Sequence, residues 1–137
     1  MIAALAPTFA LAASHTINVG VNAAGAPANA FIDPSSNTNV TNATVGDTVT
    51  FTNVGAAPGF HNVRSDGPTT TFRCADGCDG VGSGSGNPAA TNWTATITLT
   101  TPDTIQYYCE VHGSPGQAMH GTINVTTPVE LQSFDVD

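Results

Sequence analysis

Between residues 93 and 100, apolar and hydroxyl side chains alternate without a break: Trp93, Ala95, Ile97 and Leu99 against Thr94, Thr96, Thr98 and Thr100. A period of two puts one set on each face of a strand, and no helix can gather such a set on one side. The period recurs in Thr16-Ile-Asn-Val-Gly-Val21, and in Thr48-Val-Thr-Phe-Thr-Asn53 with Val49 and Phe51 on one face. It returns in Ile105, Tyr107 and Cys109, and again in Gly121-Thr-Ile-Asn-Val-Thr126. Residues 37–45 hold spaced β-branched residues and read as one more short strand. Gly46-Asp47 and Pro102-Asp103 are turn signals. The Ala-, Gly- and Pro-rich stretch ending near Phe31-Ile-Asp-Pro34 reads as a loop, as does 77–92, which is dense in Gly, Ser, Asn and Asp. No segment sustains a helical period and no repeat is visible. The pattern predicts an all-β chain, a Greek-key β-sandwich or flattened barrel of seven to eight strands.

A chain of 137 residues fits one such domain. Residues 1–12 read as a signal-peptide remnant: the run is apolar and uncharged, and Ala10-Leu11-Ala12 has the small-x-small pattern of a cleavage site. The run is too short to span a bilayer. Residues 13–128 form the folded domain and 129–137 an acidic tail. Arg64 and Arg73 are the only long cations against ten carboxylates, for a net charge of -8. That balance argues against nucleic acid and anionic membranes, which need clustered Lys and Arg; it would steer a basic protein partner favourably, and solubility alone is the alternative reading.

Three cysteines are an odd number for an exported chain. The simplest arithmetic pairs Cys74 with Cys78 across Gly77 and leaves Cys109 as a functional thiol. Free thiols at 74 and 78 stay open as the alternative.

Cys109-Glu-Val-His112 and Met119 share one segment after a strand, and His61 lies far upstream. A thiol, two imidazoles and a thioether are the ligand set of a mononuclear blue-copper site. The candidate metal ligands are therefore His61, Cys109, His112 and Met119. His120 is adjacent to Met119 and points elsewhere. A leader cut after Ala12 would also create an Ala13-Ser14-His15 terminus, whose amine and imidazole chelate Cu(II).

Three pieces carry a resemblance to a known family: Val45-Gly-Asp-Thr-Val-Thr-Phe51, His61-Asn62-Val63, and Tyr107-Tyr-Cys-Glu-Val-His112 ending in Met119-His-Gly121. Together they resemble the cupredoxins, in particular the plastocyanin- and azurin-like bacterial blue copper proteins. The resemblance implies one copper ion cycling Cu(I)/Cu(II) on His61, Cys109, His112 and Met119. It also implies that Asn62 ties its strand to the Cys109 segment and that His112 is the surface ligand. Val111 stands where plastocyanin-like loops commonly carry proline, which leaves a backbone N–H near the thiolate.

The function implied is a soluble one-electron carrier between donor and acceptor proteins, such as a cytochrome or a copper or haem oxidoreductase with a basic surface. Copper binding and delivery in the periplasm is the alternative. The expectation is no enzyme, because multicopper catalysis needs further His clusters and the chain has four His in all. A periplasmic or other extracytoplasmic monomer is expected.

Overall fold

The computed structural model describes residues 10–55 and 58–129. Residues 1–9 of the expected leader and 130–137 of the expected tail lie outside them. Ten strands follow in order: β1 (Ser14–Val21), β2 (Pro27–Ile32), β3 (Val40–Thr44), β4 (Thr48–Asn53), β5 (Val63–Asp66), β6 (Arg73–Ala75), β7 (Gly77–Cys78), β8 (Trp93–Thr98), β9 (Asp103–Ser114) and β10 (Gln117–Thr126). Among the described residues there is no helix, hence none long and apolar enough to cross a membrane.

Two sheets form, ordered β2-β1-β4-β8 and β3-β10-β9-β5-β6-β7, and neither closes into a barrel. The sandwich reading therefore holds over the barrel reading. Alternation decides which side of each strand faces inward. In β4, Val49, Phe51 and Asn53 are buried while Thr48, Thr50 and Thr52 are partly exposed. In β9, Ile105, Tyr107 and Cys109 are buried. Phe31 and Phe51 from one sheet pack edge-on against Tyr107 from the other, at centroid distances of 5.0 and 5.2 Å. Such aromatic contacts fasten the layers beyond their area burial. Trp93 is also core.

The count exceeds the expected seven to eight because of short elements. Residues 27–32 form β2, not a loop; Phe31 is its one fully buried residue, so composition hides the alternation. The expected long loop starts instead with β7, whose Cys78 is bonded to Cys74 of β6. That disulfide closes a hairpin at the edge of the larger sheet, and Cys109 remains as the free, buried thiol.

Candidate metal centre

The segment that carries Cys109 and His112 is a large bulge in a hairpin. Strands β9 and β10 pair Tyr108 with His120, then Gly113 with Ala118 and Ser114 with Gln117. Five steps along β9 are thus matched by two along β10. The three extra residues bow the Cys109–His112 stretch out of the ladder opposite Met119. The sequence reading placed Cys109, His112 and Met119 on one segment after a strand; they lie on two strand ends joined by the Pro115-Gly116 turn. Ala118 completes the distortion with a left-handed φ of 55°, a conformation that costs a non-glycine residue about 1 kcal/mol or more.

His61 arrives from the connection between β4 and β5. Its backbone makes two hydrogen bonds with Ala89, His61 N to Ala89 O at 3.3 Å and Ala89 N to His61 O at 3.1 Å. Asn53, buried at the end of β4, donates to Gly59 O at 2.9 Å and sets the preceding residues. The ring slots between Gly20 and Gly59, where a Cβ at either position would overlap Nε2. Nε2 is thereby turned outward and Nδ1 inward.

Nδ1 of His61 lies 3.7 Å from Cys109 Sγ, and Nδ1 of His112 lies 3.8 Å from it. The two Nδ1 atoms are 3.1 Å apart. Among the described residues these three are the cluster of His, Cys or acidic donors able to hold a metal. His61 is 2% exposed and Cys109 fully buried, whereas His112 is partly exposed. Burial, with His112 alongside, pushes His61 down to about 4. The imidazole is then neutral at physiological pH, as a metal ligand must be.

The donor set fits a small metal ion. Bonds of about 2.0 Å to nitrogen and about 2.3 Å to sulfur, opened near 120°, give sulfur–nitrogen edges of about 3.8 Å. A His2Cys trigonal set with a weak thioether is a copper set. Met119 is 1% exposed, in the same core cluster as Cys109. His120 turns away and donates from Nδ1 to Ala118 O at 3.0 Å.

No protein-family model matches the chain, and no curated protein does. Solved structures do. A copper-containing nitrite reductase from Thermus scotoductus aligns at 21% identity over 93% of this chain and 25% of its own, with a TM-score of 0.51. The chain has the cupredoxin fold. It spans about a quarter of that reductase, and the likeness concerns the fold alone. A pseudoazurin from Sinorhizobium meliloti aligns at 25% identity over 85% of this chain and 76% of its own, TM-score 0.49. A plastocyanin from Dryopteris crassirhizoma aligns at 22% identity over 81% and 99%, TM-score 0.46.

In this cupredoxin fold Asn62 bridges the segments that carry His61 and Cys109. Its Oδ1 accepts from Glu110 N at 2.9 Å, and its Nδ2 donates to Gly86 O at 2.9 Å and to Glu110 Oε2 at 2.6 Å. Among the described residues the polar neighbours of Cys109 Sγ are the two imidazole nitrogens, with no bond from the Val111 amide. Val111 is instead 45% exposed.

Sequence reasoning missed Glu110. Burial pushes its carboxyl up, and bonds from Arg64, Arg73 and Asn62 outweigh burial and hold it below the usual carboxylate range. The available signal was its place beside Cys109 in a chain with two cations. Also missed was Asp47, which accepts from Ala13 N at 2.7 Å and meets His15 Nε2 at 2.9 Å. His15 is thus paired with Asp47 inside β1.

Proposed function

We propose that this chain is a type 1 (blue) copper protein, a soluble carrier of single electrons between redox partner proteins. The reading is carried by the convergence of His61 Nδ1, His112 Nδ1 and Cys109 Sγ, all within 4.8 Å of one another. One copper ion is held by these three and by the thioether of Met119. Copper, when bound, supplies a one-electron Cu(I)/Cu(II) couple.

The protein's part is to hold donors that suit both oxidation states and to keep water out. Cys109 and Met119 sit in the core. His61 is fixed through Ala89 and Asn62 through Glu110. A scaffold that rigid keeps reorganisation small. The partly exposed His112 gives the electron a short way out. Val111 beside it and Phe60 beside His61 are 45% and 51% exposed, an apolar face for small, weak encounters. A net charge of -8 steers basic partners toward the protein.

The chain's other histidines are engaged elsewhere, His15 on Asp47 and His120 on Ala118 O. That leaves no histidines for a second copper cluster among the described residues, which favours a carrier over an oxidase. The Cys74–Cys78 disulfide suits an oxidising, extracytoplasmic compartment. The folded domain spans 13–128, behind a leader at 1–12, and works as a monomer.

Optical and EPR titration with Cu(II), beside Cys109→Ser, tests the reading. An intense visible thiolate-to-copper band, saturating at one equivalent and absent in the variant, is expected. Folded wild-type protein without that band overturns it. Slow copper exchange then separates an electron carrier from a copper-delivery protein.

A further inference from the structure

Both arginines of the chain close on one carboxylate, that of Glu110, the residue after the thiol. Arg64 reaches Glu110 Oε1 at 2.8 Å and Arg73 Nε reaches Glu110 Oε2 at 2.7 Å. Arg64 and Arg73 stand directly opposite in the β5–β6 register. Like charges so placed repel, and the carboxylate between them offsets the cost.

The two arginines differ in reach. Arg64 is half exposed and, among the described residues, its side chain meets Glu110 alone. Arg73 spends its whole fork: besides Glu110, one terminal nitrogen donates to Asp79 Oδ2 at 2.9 Å and the other to Asn87 Oδ1 at 3.0 Å. Asn87 lies two residues before Ala89, whose backbone pairs with His61. One guanidinium therefore joins the flank of the Cys109 thiol to the flank of the His61 imidazole. The hairpin from which it reaches is itself held, by the Cys74–Cys78 disulfide and by Asp79 N donating to Arg73 O at 2.9 Å.

We propose that Arg73 is a positioning residue for the metal centre, whose forked guanidinium sets the separation of Cys109 and His61. This rests on the copper reading above. Geometry and not charge is the means, because Arg64 and Arg73 are balanced at close range by Glu110 and Asp79. A planar fork makes three bonds in fixed directions, which an ammonium cannot copy.

The experiment uses the metal-free protein and the rate at which iodoacetamide alkylates Cys109, the free thiol, which is fully buried. Labelling then reports local opening around the sulfur. Arg73→Lys and Arg73→Ala are each expected to speed labelling about tenfold. Asn87→Ala cuts one arm and is expected to give a smaller rise. Thr50→Ala, which removes a 2.8 Å hydroxyl contact to Thr96 in the other sheet, should leave the rate unchanged. A lysine variant labelling at the wild-type rate overturns the proposal, because charge would then suffice. So does a rise no larger than each variant's loss of global stability in denaturant accounts for. Should the arginine variants fail to fold, Asn87→Ala decides in the same way. Titrating the same proteins with Cu(II) keeps the two readings apart. Wild-type protein that forms no copper band overturns the electron-carrier function, while the labelling rates still decide whether Arg73 holds the thiol in place.

Discussion

His61 and His112 meet through like atoms: their Nδ1 nitrogens face each other across 3.1 Å, with ring planes inclined at 61°. A single hydrogen bond could use that contact, but it would leave the nearby sulfur of Cys109 without a role. A thiol and two imidazoles turned toward one point, with the thiol and one imidazole buried, cost desolvation that a bound metal ion would offset.

The slot behind His61 makes the site sensitive to a single methyl group. Gly59→Ala places a Cβ on the ring's outer nitrogen, and Gly59 itself is anchored by Asn53. The ring must move toward the sulfur or the loop must shift. Overpacking of this kind costs about 1–3 kcal/mol, and a displaced ligand costs roughly tenfold or more in metal affinity. Competition titration with a Cu(II) chelator measures the second effect; an unchanged affinity would show that the slot yields without moving the ligand.

Acid stability should depend on Asp47. Burial raises its pKa, while bonds from Thr44, His15 and Ala13 together outweigh burial and bring it to about 2, against 3.8 for the free side chain. A lowered folded value stabilises the protein above the unfolded value and ceases to do so as pH falls through the folded one. The contribution is therefore complete near pH 6 and disappears between about pH 4 and pH 2. Asp47→Asn should cost about 2 kcal/mol at pH 6, and the gap to wild type should close in that acid window. Parallel denaturant melts at several pH values check this; a gap independent of pH would refute it.

Tyr107 carries a buried hydroxyl with no hydrogen-bond partner among the described residues, and burial pushes its ionisation far upward. Its ring does the packing, against Phe31 and Phe51. An unpaired buried polar group costs about 1–3 kcal/mol, so Tyr107→Phe should leave stability equal or raised by up to about 1 kcal/mol. Chemical denaturation decides; a clear loss of stability would reveal a partner for the hydroxyl.

The charge of the chain should show in its electron-transfer kinetics. With a net charge of -8, the copper-loaded protein should react faster with a cationic one-electron reagent than with an anionic one of similar potential. The difference should shrink as salt shortens the Debye length from about 10 Å at 0.1 M to about 3 Å at 1 M. Stopped-flow rates across that range measure it, and rates indifferent to salt would place the acidic groups away from the electron's path.

Much of this was readable in the chain itself, because the relevant signals are local. Thr48–Asn53 and Trp93–Thr98 alternate strictly, and both became strands with the expected faces buried. The donor types at Cys109, His112 and Met119 depend on residue identity and short spacing, whereas the place of the distant His61 and the role of Asn62 as a tie to the Cys109 segment come from the resemblance to the cupredoxins. Strand β2 escaped notice because its two large apolar residues, Phe31 and Ile32, are adjacent and cannot establish a period of two.

What tertiary structure alone decided is how distant segments meet. The three-residue bulge that throws Cys109–His112 out of the ladder comes from the register of β9 on β10, which no spacing within either strand encodes. Arg73 and Glu110 are 37 positions apart, and Ala13 and Asp47 are 34. Such pairs form only once two sheets are stacked around the Phe31, Phe51 and Tyr107 rings, since packing against that core sets strand register and brings remote charges within bonding distance. Composition and period determined which residues could serve as strands and donors; the closed sandwich determined which of them touch.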